Sequence, residues 1–237
     1  MKLKVLNSGS KGNCYLLSDD KEVLIIEPGI SFKEIKIGLD FNLSKVVGAL
    51  CSHAHLDHSK AIKDFVKNGI DVYSSQETFV SHQIIGRRTN IIESEKQFKI
   101  GGFTILPLEA KHDIHCLSFL IQHEDIGKLF FITDSYYCLY KFNGLNHILI
   151  EANYSEKILE RNNINETIKE RLLKSHFSLE NAKKFVKAND NPKLKNIVLL
   201  HLSDSNSNAK EFKGVMEELT HKRVEIADKG LEIELNK

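Results

Sequence analysis

The segment His53-Ala54-His55-Leu56-Asp57-His58 places three imidazoles and one carboxylate within six residues. It follows Val46–Cys51, which is short, apolar and β-branched at its start and is therefore typical of a buried strand. Because side chains two residues apart leave an extended backbone on the same side, His53 and His55 should face one point. Imidazole nitrogens and carboxylate oxygens are ordinary ligands of divalent metals, so the segment is a candidate metal site.

Asp57 and His58 lie where a helix should begin. Apolar residues recur after them at helical spacing, at Ile62, Phe65 and Val66. Two ligands from the end of a strand and two from the start of a helix favour a pair of metal ions over a single ion. The alternative is an exposed polar loop that happens to be rich in histidine, but it does not explain these offsets beside a buried strand.

The composition is that of an ordinary globular protein and excludes several classes. With 237 residues, of which 41% are hydrophobic, the chain can bury a sizeable core, and one domain over residues 1–237 is expected. The net charge of +1 argues against a protein that coats long nucleic acids, but not against a nuclease with a local basic patch. The four cysteines form no CxxC pair, which favours reduced thiols. Without a signal-peptide core or a membrane-length apolar stretch, a cytoplasmic location is expected.

Three later strand-like segments also end at potential ligands. Segments 103–110, 129–133 and 197–200 are followed by His112, Asp134 and His201, respectively. Two β-rich halves that each carry helices favour two packed sheets with helices outside, an α/β (α+β) arrangement. In such a fold the strand ends can gather at one edge, where loops carry ligands on a rigid scaffold.

Together these residues resemble the metal-binding set of the metallo-β-lactamase-fold hydrolases. Five further motifs, spread from the first strand to about residue 206, resemble the YycJ/WalJ-like branch: Ser8-Gly9-Ser10-Lys11-Gly12-Asn13, Glu27-Pro28-Gly29-Ile30-Ser31, Glu151-Ala152-Asn153-Tyr154, Ser175-His176-Phe177-Ser178 and His201-Leu202-Ser203-Asp204-Ser205-Asn206. The resemblance implies a four-layer αββα sandwich with the metals at the sheet edge. It also implies hydrolysis by a metal-bound hydroxide, in this branch usually of phosphodiesters.

The resemblance also implies a role for each candidate ligand. The first of two divalent ions, zinc or manganese, would be held by His53, His55 and His112. The second would be held by Asp57, His58 and His201, with Asp134 bridging the two ions and Asp57 also counted as catalytic. His115 competes with His112 as a ligand, but the His-Asp step after the strand favours His112.

Glu27 departs from the family's pattern, because the residue that ends the third strand is usually aspartate. That position orients metal ligands from behind, so a rearranged support is expected and not a lost metal. The alternative reading of Glu27 is a simple turn residue before Pro28-Gly29.

His176 is the expected proton donor or phosphate contact opposite the nucleophile. Ser178 should cap the helix that follows, and a helix N-terminus beside an imidazole favours anions. The alternative is a histidine in a capping loop without chemistry. Substrate contacts are expected from Ser178, Asn153 and Tyr136. A base pocket has Tyr136, Tyr137 and Phe177 as candidates.

Three functions follow from these observations. The first is a dinuclear phosphodiesterase that hydrolyses nucleic acid in the manner of an exonuclease. The second is a cyclic nucleotide phosphodiesterase of the phage anti-Pycsar type, which the compact chain and near-neutral charge favour. The third is a metal-bound regulatory or binding protein without turnover, which the intact ligand set argues against. A homodimer that completes the pocket is common in this fold, and no membrane partner is expected.

Overall fold

The computed structural model describes residues 1–162 and 164–237. In that part of the chain, fourteen strands form two sheets of seven strands each. The first sheet contains β1 (Lys2–Asn7), β2 (Cys14–Ser18), β3 (Val23–Ile26), β4 (Val46–Leu50), β5 (Val72–Ser74), β6 (Thr89–Ile91) and β14 (Glu232–Glu234). The second contains β7 (Phe98–Ile100), β8 (Phe103–Ala110), β9 (Cys116–His123), β10 (Gly127–Ile132), β11 (His147–Glu151), β12 (Asn196–Leu200) and β13 (Arg223–Ile226).

Both sheets change from antiparallel to parallel pairing part of the way across. The first has the order β14-β1-β2-β3-β4-β5-β6 and is parallel from β3 onward. The second has the order β13-β12-β11-β10-β9-β8-β7 and is parallel from β10 to β13. Strands β8, β10, β11 and β12 therefore run in the same direction, as do β3 and β4. Their carboxyl ends lie at one edge of each sheet.

Parallel pairs need crossover connections, and helices supply them here. The first sheet is crossed by α1 (Phe32–Gly38), α2 (Leu56–Ser59), α3 (Ile62–Lys67) and α4 (Gln76–Ser81), with one 3-10 turn at Leu43–Lys45. The second is crossed by α5 (Glu156–Asn162), α6 (Glu166–Ser175), α7 (Leu179–Asn189) and α8 (Ala209–Thr220). No helix among the described residues is long and apolar enough to cross a membrane.

Three hydrophobic clusters hold the layers together. The central one joins the inner faces of the two sheets, with Tyr15 against Phe131 at a ring-centroid distance of 5.5 Å. A second cluster packs the outer face of the second sheet against its helices, and a third does the same for the first sheet. This arrangement is the expected four-layer αββα sandwich.

The single helix expected after Asp57 is two short helices, α2 and α3. The backbone explains the break, because the Ala61 N–H donates to the Pro28 carbonyl at 2.9 Å and not to the carbonyl of Asp57. The Asp57 carbonyl instead accepts from the Asn13 N–H at 2.7 Å. A further helix, α5, was not predicted, since it buries only Ile158 and Leu159.

Candidate metal centre

The seven expected metal ligands lie together at the edge where β4, β8, β10 and β12 end. They form two groups that share one residue: His53, His55, His112 and Asp134 in the first, and Asp57, His58, His201 and Asp134 in the second. Within each group the potential ligand atoms lie within 4.8 Å of one another. Residues up to 148 positions apart in the chain (201 − 53) thus meet at one place, because their strands end at the same edge.

Asp134 faces both groups with the same carboxylate oxygen. Its Oδ2 lies 3.8 Å from Nε2 of His53, 3.8 Å from Nε2 of His112 and 3.4 Å from Nε2 of His58. Burial alone would raise the pKa of this carboxyl, but the neighbouring His58 and His201 outweigh burial and hold the pKa well below its usual 3.8. Asp134 is therefore an anion placed between two sets of imidazoles.

In the first group, three ring nitrogens face one another. Nδ1 of His55 lies 3.0 Å from Nε2 of His53 and 3.2 Å from Nε2 of His112. A tetrahedral zinc ion with Zn–N bonds of about 2.0–2.1 Å holds its nitrogen ligands about 3.3 Å apart. Burial is the main cause that lowers the pKa of His53 and of His112, and a neutral imidazole is the form that binds metal.

The outward ring nitrogens are hydrogen-bonded to the protein, so the other nitrogen of each ring faces the centre of its group. Nδ1 of His53 donates to Ser52 Oγ at 2.8 Å, and Nδ1 of His112 donates to the Ser175 carbonyl at 3.0 Å. Nδ1 of His58 is hydrogen-bonded to Glu27. Such partners fix the tautomer and the orientation of metal-binding histidines.

His201 supplies the clearest indication that the second group suits a metal ion. Its Nε2 is buried and has no hydrogen-bond partner among the described residues. A buried nitrogen without a partner is costly, so a ligand that satisfies it is expected. Burial lowers the pKa of His201, but Asp134 and Asp57 outweigh this effect and raise the pKa to about 10. The imidazoles and carboxylates of the two groups are donors of the kinds that divalent metal ions bind.

Glu27 supports two ligands from behind. It is fully buried, and its Oε1 accepts from the Ser52 N–H while its Oε2 accepts from Ser52 Oγ, both at 2.8 Å. Oε2 also contacts Nδ1 of His58, and Ser52 Oγ contacts His53 in turn. These contacts match a support for the ligands and do not match a simple turn residue.

Tight packing brings the loop of Glu27 against the metal-binding segment. A Cβ atom on Gly29 would lie 1.8 Å from the Asp57 carbonyl oxygen, so only glycine fits there. On the other side, Asn13 Nδ2 lies 3.2 Å from Nε2 of His58. The motifs that begin at Ser8 and at Glu27 therefore both pack around His58 and Asp57.

The backbone is left-handed at three of the residues that follow strands at this edge. Glu27, Asp134 and His201 have φ of 60°, 45° and 51°, and none of them is glycine. Glu27 and His201 directly follow β3 and β12, and Asp134 lies two residues after the end of β10. The chain turns sharply at the end of each strand, and this turn directs the side chain into the edge of the sheets.

Glu151, the first residue of one of the five motifs, lies in the site, although the motif alone predicts no role for it. This fully buried carboxylate is the last residue of β11. Its Oε1 lies 2.6 Å from Nδ1 of His176 and 3.2 Å from Nδ1 of His201. Its position at the end of an apolar strand is the signal that marked Asp134 and His201, and the same reasoning could have identified it.

His176 lies beside the metal centre. Its ring stacks on that of His201, with the centroids 5.4 Å apart and an interplanar angle of 11°. Burial lowers the pKa of His176, but the Glu151 carboxylate outweighs burial and raises the pKa above 6.5. Nε2 has no hydrogen-bond partner among the described residues. An imidazole in this setting can hold a proton at Nε2 next to the metals.

Two of the three expected substrate contacts, Ser178 and Asn153, are buried and hydrogen-bonded within the protein. Ser178 is buried and its Oγ accepts from the Asn181 N–H at 3.1 Å, which confirms the expected helix cap and leaves no open hydroxyl. Asn153 is buried and its Nδ2 donates to the His201 carbonyl at 2.9 Å, so it positions His201. Tyr136 is exposed and can still reach a substrate. Phe177 is fully buried, so it cannot offer a ring face to a base.

His115 lies outside both groups. Its ring lies between Glu77 and Glu109, at 3.6 Å and 3.5 Å. The neighbouring His112 occupies the first group instead.

The four cysteines are free thiols, three of them buried.

Comparison with known proteins identifies similar sequences and a similar fold. Residues 8–75 match the metallo-beta-lactamase superfamily. Exodeoxyribonuclease WalJ of Streptococcus pneumoniae serotype 2 is 26% identical over 228 residues, covering 89% of this chain and 84% of that protein. Exodeoxyribonuclease YycJ of Bacillus anthracis is 27% identical over 227 residues, covering 88% and 84%. The metallo-beta-lactamase fold protein YhfI from Bacillus subtilis superposes with a TM-score of 0.74 at 16% identity, covering 98% of this chain and 99% of that one.

The comparisons confirm two expectations drawn from the motifs. The chain has the metallo-β-lactamase fold. Its sequence resembles the WalJ/YycJ-like branch over most of its length. The expectation of a metal-dependent hydrolase is also confirmed, with a cluster of histidines and aspartates suited to divalent metal ions.

Proposed function

We propose that this metallo-β-lactamase-fold hydrolase is a dinuclear phosphodiesterase that degrades DNA as an exonuclease. The observation that carries the dinuclear assignment is the placement of Asp134 Oδ2 within 3.4–3.8 Å of three imidazole nitrogens from both ligand groups. Support for DNA as substrate comes from the two relatives, which are named exodeoxyribonucleases. The exposed Tyr136 at the mouth of the site is the remaining candidate substrate contact.

In this proposal the two ions, zinc or manganese, are held as the two groups indicate. His53, His55 and His112 would hold one ion, Asp57, His58 and His201 would hold the other, and Asp134 would be shared between them. When bound, two divalent ions lower the pKa of a water molecule and neutralise the charge that develops on a phosphodiester. Glu27 holds His58 directly and His53 through Ser52, in the orientation that binding requires.

His176 is the proposed proton donor to the leaving oxygen. Its Nδ1 is held by Glu151, so a proton at Nε2 is available to the substrate. The Glu151 carboxylate favours the protonated ring, which is the form that a general acid needs. Asp57, at the border of the second group and still partly exposed, is placed to orient the attacking water as well as to bind metal.

A substrate panel on the metal-replete protein tests this function. The substrates are duplex DNA with defined ends, single-stranded DNA, RNA, cyclic mononucleotides and bis(p-nitrophenyl) phosphate. Stepwise release of nucleotides from DNA is expected with zinc or manganese. Turnover of cyclic mononucleotides without cleavage of DNA or RNA would instead identify the cyclic nucleotide phosphodiesterase. Metal binding without turnover of any of these substrates would identify the binding protein.

A further inference from the structure

A small pocket beside helix α7 is lined by aromatic and basic side chains together with apolar ones. Its volume is about 160 Å³, and it lies between the segment after Asp134 and helix α7. The lining includes Tyr137, Tyr140, Lys141, Asn181 and Lys184, and it contains no carboxylate. We call it the α7 pocket.

The segment that forms the α7 pocket is held in place at both ends. The Tyr136 N–H donates to the Lys111 carbonyl at 2.9 Å, and its carbonyl accepts from Asn181 Nδ2 at 3.0 Å. At the other end, the Phe142 N–H donates to Asn189 Oδ1 at 2.7 Å. The pocket is therefore preorganised, and less ordering is needed when a ligand binds.

The α7 pocket is close to the reacting centre. Tyr137 follows Asp134 by three residues, so their Cα atoms are at most about 11 Å apart. The Lys111 carbonyl that anchors Tyr136 belongs to the residue just before His112. Among the residues that line the pocket, Tyr137 is therefore the one within reach of a nucleotide next to the scissile phosphate.

The aromatic side chains suit a nucleic acid base. The Tyr137 side chain is 45% exposed and has no ring partner among the described residues. Tyr140 is backed by Phe142, at a ring-centroid distance of 6.3 Å. Bases stack on such rings regardless of sequence. The volume is below the ~300–1,000 Å³ of pockets that enclose whole ligands, so it suits a single base.

The charges favour phosphates on this side of the metal centre. Lys141 and Lys184 are exposed, and in the described ranges neither Nζ lies within 4.0 Å of a carboxylate oxygen. Lys184 Nζ lies 3.4 Å from Asn181 Oδ1. A second cleft, of about 280 Å³, is lined by His201 and by two carboxylates, Asp204 and Asp228, which repel phosphates.

We infer that the α7 pocket binds single-stranded DNA next to the scissile linkage, with a base on Tyr137 and phosphates on Lys141 and Lys184. This inference rests on the proposed function, because it places the same substrate. A strand end threaded past α7 would leave the terminal linkage at the metals. The enzyme would then need an unpaired segment of at least one nucleotide at the end that it degrades.

The test measures binding of a fluorescent, phosphorothioate-linked single-stranded oligodeoxythymidylate to the metal-replete full chain. Tyr137→Ala is expected to weaken binding roughly 5- to 150-fold, whereas Tyr137→Phe, which keeps the ring, binds like the wild type. Lys141→Ala and Lys184→Ala should each lower the slope of log affinity against log salt by about 0.7. Lys33→Ala, an exposed lysine on α1 at the outer face of the other sheet, is the matched control and keeps the wild-type slope.

A second measurement separates this inference from the proposed function. For the wild type and each variant, kcat/KM is determined for single-stranded DNA and for bis(p-nitrophenyl) phosphate. The ratio of the DNA value to the small-diester value should fall in Tyr137→Ala and Lys184→Ala. If Tyr137→Ala and Lys184→Ala bind DNA like the wild type and keep its ratio of kcat/KM values, the α7 pocket is refuted. The proposed phosphodiesterase would still stand. The wild type could instead cleave neither substrate while the variants still bind DNA more weakly than it does. That result would overturn the proposed function and keep the α7 pocket.

Discussion

Oε1 of Glu151 lies 2.6 Å from Nδ1 of His176 and 3.2 Å from Nδ1 of His201. One buried carboxylate therefore contacts both the proposed proton donor and a proposed metal ligand. Burial raises the pKa of Glu151, but His176 outweighs burial and lowers it, so the carboxylate is charged at neutral pH. Glu151 therefore connects the proposed metal binding at His201 with the proposed proton transfer at His176. Mutations at the metal ligands and at His176 test the two roles separately.

Asp134→Ala should remove most of the bound metal and all hydrolysis, because the only carboxylate shared by the two groups is lost. Elemental analysis after dialysis measures the metal, and the wild type is expected to retain about two ions per chain. Asp64→Ala, an exposed carboxylate on α3, is the control. A mutant of Asp134 with wild-type metal content would refute the bridge.

His176→Ala should keep both metals and lower kcat by about 10²–10⁴-fold, the usual contribution of a general acid. The same elemental analysis and a steady-state assay measure the two effects. Loss of metal would make His176 a ligand. A wild-type rate would favour the alternative of a capping-loop histidine without chemistry.

Glu151→Gln should shift the alkaline limb of the pH–rate profile to lower pH. A carboxylate beside His176 raises the pKa of the imidazolium, so the acid form persists to higher pH in the wild type. Activity is lost as pH rises through that pKa, and removing the charge lowers it. The profile of kcat between pH 5 and pH 10 measures the shift. An unmoved alkaline limb in a mutant that still binds metal would exclude His176 as the group that titrates there.

Glu27→Gln should weaken metal binding by about 10–100-fold, as is typical for a partner that orients a metal-binding histidine. The effect should be larger at the second ion, because Glu27 contacts His58 directly and His53 only through Ser52. Competition with a chromophoric chelator measures both affinities. Glu93→Gln, a surface glutamate paired with Lys96, serves as control. Equal affinities in wild type and mutant would return Glu27 to the role of a turn residue.

The sequence predicts this site well where a residue's role follows from its immediate neighbours. Asp134 and His201 were identified because each follows an apolar strand, and parallel strands end at one edge. Glu27 contacts His58, which is 31 positions away, and Ser175 contacts His112, which is 63 positions away. No local pattern in the sequence reveals these contacts. The contact of Asn153 with His201, 48 residues away, is equally invisible to a local pattern.

The break between α2 and α3 illustrates the same limit for the fold. The residues after Asp57 have the spacing of one helix, and local propensity gives no reason for it to stop. The Ala61 N–H, which would continue the helix, donates to the Pro28 carbonyl. The Asp57 carbonyl accepts from the Asn13 N–H. Helix α5 was missed because two buried residues are too few to produce a periodic pattern.

The left-handed backbone at Glu27, Asp134 and His201 has a consequence for stability. A side chain in that conformation costs of order 1 kcal/mol or more, and glycine would relieve it. For a domain of this size, about 1 kcal/mol corresponds to roughly 2–4 °C of melting temperature. Glycine would also remove a buried side chain and its contacts, such as those of Glu27 with Ser52 and His58. Backbone strain and buried contacts therefore have opposite effects on stability at the same three positions.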